Sequence, residues 1–336
     1  MADSTPARLK GDVRLQYMDQ DFGNDFFNLN STTQLQDLGT IKGCPELVVN
    51  SLKSKAATDA FPAKKVKRPK RAEANFYPSF PTGANLESLE KERLELLTDI
   101  RIRNNNRVIA DKMAHTFAYR RQEVVNQEPR IKDLKDRWPA LFQHKEINAE
   151  FLRIMTIPLE EKFMTQLDIH SSQLITVIRA KGGSTRQKTA DIMDIFDQTE
   201  DIHLRRECVL RALIIFLGED PDELIKEYLD SRTDDLQKEM EELTMGVFVI
   251  RKEGEGLQEP PADIGIIIEG VEVLNELPSV ASACALLLGL LYALNIAYPK
   301  PLHFTFEVLQ KIIMQLDQHK MSAKVQNLYG RLQSSE

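Results

Sequence analysis

The chain is poor in the residues that build covalent frameworks and metal cages. Its 336 residues include 3 cysteines, Cys44, Cys208 and Cys284, an odd and widely spaced set that excludes a disulfide framework and suits a reducing compartment. The 6 histidines stand at 115, 144, 170, 203, 303 and 319, with no i, i+4 pair and no cysteine partner, so no metal site is expected. The opening MADSTPARLKG lacks the apolar centre of a signal peptide, and an intracellular protein is expected. Long apolar runs are scarce too. The longest, at 279–298, is interrupted by Ser279, Ser282 and Asn295 and has no basic flank before it, which predicts a buried core helix and no membrane contact.

Catalytic signatures are equally scarce. Arg205, Arg206 and Arg211 surround Cys208 and would favour a thiolate, yet helical spacing sets it beside Val209 and Leu213 on an apolar face, the setting of a structural thiol. RAKGGSTRQKT, at 179–189, lacks the G-x-x-x-x-G-K-[ST] order of a phosphate loop, and no strand leads into it. The carboxylates of GEDPDELIKEYLD read as the cap and solvated side of a helix, with Pro221 just inside its start. No catalytic residue and no cofactor is assigned, and the chain is expected not to be an enzyme.

What is present is a mainly helical pattern with segregated charge. Net charge is -7, but a basic block lies near residue 64 and an acidic stretch runs from about Glu200 to Glu242. Residues 13–17 alternate as a half-buried strand does, an acidic turn follows with Asp19, Asp21 and Asp25, and DFFNL resumes the alternation. Ser31 and Gln34 form a capping-box pattern that Gly39 closes. An EF-hand loop is excluded because its final glutamate is missing. Two readings of the acidic turn stay open, an exposed polar hairpin without a role and a docking surface.

Strand, acidic turn, strand and short helix, with Tyr17, Asp19, Asp21, Gly23, Asp25, Ser31 and Leu35 in place, resemble the second half of a Phox/Bem-type β-grasp interaction domain. That resemblance implies docking of Asp19, Asp21 and Asp25 on a basic surface of a protein partner. Phe22 and Asn24 flank the glycine and lengthen the turn, and too few residues precede Val13 for the first hairpin and helix of such a domain, so a partial β-grasp is expected over 12–42.

Residues 43–85 read as a Pro-containing basic linker without periodicity. Within it KKVKRPKR puts six basic residues, Lys64, Lys65, Lys67, Arg68, Lys70 and Arg71, into eight positions, the composition of a nuclear-import signal. An import receptor is therefore an expected partner, with residence in nucleus and cytoplasm. Solvated charge without a role is the bland alternative.

Helical periodicity begins at Leu86 and places Leu89, Leu94 and Leu97 on one stripe. Arg101, Arg103, Arg107, Arg120 and Arg121, with Phe117 and Tyr119 among them, would make a nucleic-acid face, though interleaved acids favour a solvated amphipathic helix. Leu134, Trp138, Leu141 and Phe142 around Pro139 predict a corner between helices. Further helices are expected around EINAEFLRIM, PLEEKFMTQLDIHSSQLITVIRAK, QKTADIMDIFDQ and LRRECVLRALIIFLG. TMGVFVIRK and DIGIIIEGVEVL read as two strands, and helices close the chain.

The strings KRAEANFYPSFP, DKMAHTFAYRRQEVV, LKDRWPALF, TMGVFVIRKEG, IIIEGVEVL and LNIAYPKPLHFTFEVLQKIIMQLD are similar to a multi-copy family, the sterile alpha motif domain-containing protein 3-like proteins. The chain has no sterile alpha motif of its own and is expected to be a shortened form. The expected fold is α+β and mainly helical: a partial β-grasp hairpin at 12–42, the linker, a helical segment at 86–150, and at 151–336 a helical domain with a small β-hairpin. The expected function is protein–protein interaction or scaffolding, probing partners with the acidic turn and the C-terminal domain; the alternative is nucleic-acid association through the basic block and the arginine-rich helix.

Overall fold

The computed structural model describes residues 67–72, 77–230, 233–254 and 256–333. Asp19, Asp21, Asp25, Cys44, Lys64, Lys65 and the whole β-grasp-like segment lie outside them.

Helix α1 (Leu86–Asp99) starts where sequence chemistry demands it. The Asn85 side chain accepts from the Ser88 amide at 2.8 Å while Ser88 Oγ accepts from the Asn85 amide at 3.0 Å, a reciprocal cap. The helix buries Leu89, Arg93 and Leu96 and leaves Leu86 and Leu94 in solvent, so the expected leucine stripe is split. Arg93 takes a core-side slot because its guanidinium finds Glu90 and the Arg137 carbonyl there. Helices α2 (Asn106–His115), α3 (Phe117–Gln127) and α4 (Ile131–Arg137) follow, and Pro139 opens a single 3-10 turn, Pro139–Phe142. The predicted corner is present: Leu134, Trp138, Leu141 and Phe142 are all buried.

Helices α5 (His144–Met155), α6 (Leu159–Ala180), α7 (Ser184–Gln198) and α8 (Ile202–Phe216) form the helical bulk, each within a segment whose periodicity predicted it. Gly218 ends α8 at φ +73°, a left-handed conformation that favours glycine. Two lysines finish that end: Lys181 Nζ donates to the Phe216 carbonyl at 2.7 Å and Lys324 Nζ to the Leu217 carbonyl at 2.9 Å, cations at the negative pole of the helix.

Beyond Gly218 the structure corrects the expectation. Asp220 does cap a turn, accepting from the Asp222 amide, but only a 3-10 turn, Pro221–Glu223, forms. The next residues are strand β1 (Ile225–Leu229), paired in parallel with β2 (Met245–Arg251). Helix α9 (Thr233–Glu242) makes the crossover. The second predicted strand is a hairpin in itself, β3 (Asp263–Ile268) and β4 (Val271–Leu274), folded at Glu269 and Gly270, both at positive φ. The sheet order is β1-β2-β3-β4, with β2–β3 and β3–β4 antiparallel, so the C-terminal half carries four strands where two were expected.

Helix α10 (Val280–Ala293) is the centre of the molecule. It packs on β2 and β3 and also on α5, α6 and α8, which is why thirteen of its fourteen residues are buried and its apolar character is continuous. Gly289 permits the approach: a Cβ there would lie 2.4 Å from Leu159 Cδ2. No helix among the described residues is long and apolar enough to cross a membrane. Helix α11 (His303–Val308) continues as a wider π turn, Leu309–Ile313, and α12 (Ala323–Gln333) ends the description. One apolar cluster runs through all these elements, from Leu96 to Leu332.

Candidate interaction surface

Two of the five arginines expected on a nucleic-acid face are inside the protein. Arg120 is 0% exposed and meets Glu150 through two bonds, Nε at 2.8 Å and Nη2 at 2.6 Å, with Met113 and Thr116 taking its remaining donors. Its guanidinium also lies 5.1 Å from the Trp138 ring centroid, a cation–π stack. Arg121 reaches the Tyr292 carbonyl at 2.9 Å, at the end of α10. Neither can touch a phosphate backbone. Burial opposes the charge of Glu150, but Arg120 and Arg153 outweigh it and hold the carboxyl below the usual carboxylate range. Beside this pair, Arg137 and Trp138 Nε1 share Glu123, and Glu90 collects Arg93, Arg137 and Tyr119, whose hydrogen bonds, led by Arg93, bring its carboxyl down to about 2.

The other three arginines stay in water. Arg101 and Arg103 are exposed on the turn that joins α1 to α2 and Arg107 on the first turn of α2, and none forms an ion pair or a side-chain hydrogen bond among the described residues. Ile102 sits between the first two and Val108 directly after the third, 53% and 41% exposed. This turn is held in shape: Asn104 takes a left-handed φ of 60°, the Asn105 amide donates to the Asp99 carbonyl at 3.2 Å, and Lys112 ties Asp99 to Glu95 at 2.7 and 2.8 Å. The arginines were legible in the sequence; the apolar pair between them was not, because a helical reading through 100–108 assigns no residue to a turn.

The basic block divides likewise. Lys67 and Lys70 are exposed, whereas Pro69 is buried and Arg68 and Arg71 grip the body. Arg68 pairs with Glu269 at 3.0 Å and donates to the Glu128 carbonyl at 2.7 Å. Arg71 donates to the Pro129 and Leu294 carbonyls at 2.5 and 2.7 Å. Backbone bonds from Ala72 to Asn295 and from Ala297 to Lys70 complete a short antiparallel bridge. The segment is therefore a strap across the ends of α3 and α10 and the β3–β4 turn. Glu269 also accepts from the Ile131 amide at 3.0 Å, so one carboxylate serves the strap and the start of α4. No local pattern announces this, since the partners lie about 60 and 200 residues away.

Reactive chemistry is not gathered anywhere among the described residues. Cys208 and Cys284 are buried; loss of solvent, with the Glu207 charge adding to it, raises their thiols to about 11 and about 12. Arg211 acts the other way on both thiols and Arg205 on Cys208, but neither outweighs the loss of solvent. No group of three or more His, Cys, Asp or Glu among the described residues is placed to hold a metal ion.

Residues 89–143 span α1 through the 3-10 turn and so contain the arginine turn, the buried Arg120 and the Trp138 corner. They match the family model of the sterile alpha motif domain-containing protein 3, helical domain. Over this segment the chain is similar to that helical domain. Two features mark the matched segment: a buried side joined internally by Trp138–Glu123 and to α5 by Arg120–Glu150, and an exposed basic turn. No curated protein and no solved structure matches the chain.

Proposed function

We propose that this chain is a non-enzymatic, intracellular interaction or scaffold protein that enters the nucleus. Asp19, Asp21 and Asp25 dock on a basic surface of a protein partner, and the basic block, through its exposed lysines, meets an import receptor. The observation that supports this best is the division of charge in the helical domain. Arg120 and Glu150 are spent on each other inside, while the α1–α2 turn and the start of α2 keep three arginines exposed and uncommitted. A family helical domain of interaction type over 89–143 agrees with this assignment.

Proximity labelling of the wild-type chain beside an Asp19→Ala, Asp21→Ala, Asp25→Ala variant tests it. A set of neighbours lost from the variant is expected. Identical neighbours in both would remove the acidic turn from the account. Nucleic-acid association remains a second proposal because Arg101, Arg103 and Arg107 are exposed and unpaired; it requires binding to duplex or single-stranded nucleic acid that falls steeply with salt.

A further inference from the structure

The turn between α1 and α2 is basic and apolar at once. Over residues 100–108 the sequence IRIRNNNRV carries three arginines and no acid, and Ile102 and Val108 stand in solvent beside them. A phosphate backbone would use the arginines and leave the isoleucine and valine wet. An acidic peptide that also carries large apolar side chains would use both.

One stretch of this chain has that composition. MDQDFGNDFF, at 18–27, interleaves Asp19, Asp21 and Asp25 with Phe22, Phe26 and Phe27 and contains no basic residue. About forty residues lie between it and the strap, a contour on the order of 140 Å when extended. That exceeds the roughly 50 Å breadth expected of a folded body of this size. We propose that the α1–α2 turn together with the start of α2, presenting Arg101, Ile102, Arg103, Arg107 and Val108, is the docking surface for the acidic-aromatic segment 17–29 of the same molecule. The proposal rests on the reading of the acidic turn as a docking element and supplies the basic surface it meets. Occupied, the segment would be withheld from outside partners and the turn from polyanions. Because the arginines are exposed and the contact pairs opposite charges, it should weaken with salt as the Debye length shrinks.

The test uses the full chain and a fluorescent peptide of residues 14–29 as the probe. With Asp19, Asp21 and Asp25 changed to Ala, the chain's own segment is disarmed, and the peptide should bind this variant at least roughly tenfold tighter than it binds wild type, where the turn is filled. Adding Arg101→Gln, Arg103→Gln and Arg107→Gln should weaken peptide binding by roughly tenfold, three exposed pairs being worth about that much. Adding Ile102→Ser instead should weaken it by roughly threefold with no change in charge. Arg101, Ile102, Arg103 and Arg107 are exposed, so circular dichroism melts of their variants should superpose, and a variant whose melt shifts is replaced by Arg103→Gln alone.

Peptide binding that ignores the arginine substitutions, or no binding at all, overturns the proposal. So does a mixed-sequence DNA duplex or single-stranded RNA that binds the turn regardless of Ile102. A wild-type dimer in sedimentation, dissolved by the aspartate substitutions, would put the segment on a second copy and overturn the intramolecular assignment. Loss of proximity partners in the aspartate variant together with failed peptide binding would leave the proposed function standing and remove only this inference.

Discussion

A guanidinium and a carboxylate withdrawn from water hold each other at little net gain, yet either one alone is costly to keep there, and Arg120 with Glu150 is such a case. Both are buried where α3 packs toward α5, Arg120 against Trp138 and Glu150 also accepting from Arg153 at 2.8 Å. Glu150→Gln should therefore lower stability by about 3–5 kcal/mol in urea unfolding, because it strands the Arg120 charge. Arg120→Met with Glu150→Leu should recover most of the loss. Acid titration adds a signed check. The folded carboxyl of Glu150 lies below its ordinary value of 4.5, so its stabilisation is complete above that pH and drains as pH falls through the lowered folded value. The acid limb of the stability curve should be shallower in Glu150→Gln, and an unchanged limb would show the pair to be energetically idle. Sequence periodicity could not reveal the pair, since it counts Arg120 as a polar residue and its partner lies 30 residues on.

At the scale of elements, close approach decides what a strand tolerates. Gly265 on β3 faces Phe248 across the ladder, and a Cβ there would stand 2.3 Å from both the Leu274 carbonyl oxygen and a Phe248 ring carbon. The ring can turn, whereas the carbonyl belongs to β4, next to a register shift between Ile266 and Ile267. Gly265→Ala should cost about 2 kcal/mol by chemical denaturation. Gly256→Ala is the control: its nearest neighbour is the movable Glu259 carboxylate at 3.6 Å, so a change under about 0.5 kcal/mol is expected. Equal losses at both sites would mean that overpacking is not the cause. The same sheet shows how far local chemistry was readable. Val- and Ile-rich β2 and β3 declared themselves, and Asp220 with Pro221 did signal a start. What followed was β1 and not a helix, because the choice at Ile225 is made by pairing with Val247, about twenty residues later. Helices α5 to α8 were legible for the converse reason, their burial repeating within the window that periodicity inspects.

Across the whole molecule the strap at 67–72 ties the helical segment 89–143 to the C-terminal half. Its two arginines end on the α3 C-terminus, the β3–β4 turn and the α10 C-terminus, three places that share no sequence neighbourhood. The residues proposed for nuclear import therefore split into two jobs. Lys67 and Lys70 are exposed and spend nothing on the fold, while Arg71 is half-buried, its guanidinium lowered in pKa chiefly by loss of solvent and held by two carbonyls. Arg71→Ala should cost about 2 kcal/mol, the loss of charge-assisted bonds to carbonyls left short of a donor. Arg68→Ala should cost less, about 1 kcal/mol, because that side chain is 40% exposed. Lys64→Ala, Lys65→Ala, Lys67→Ala and Lys70→Ala together should leave the melting temperature within about 1 °C while reducing nuclear accumulation of a fluorescent fusion. If the lysine substitutions leave the fusion nuclear and Arg71→Ala leaves the melt unmoved, both halves of the division fail. A fall in melting temperature only with Arg71→Ala and in import only with the lysines would mean that one short segment closes the fold with its arginines and presents its lysines outward.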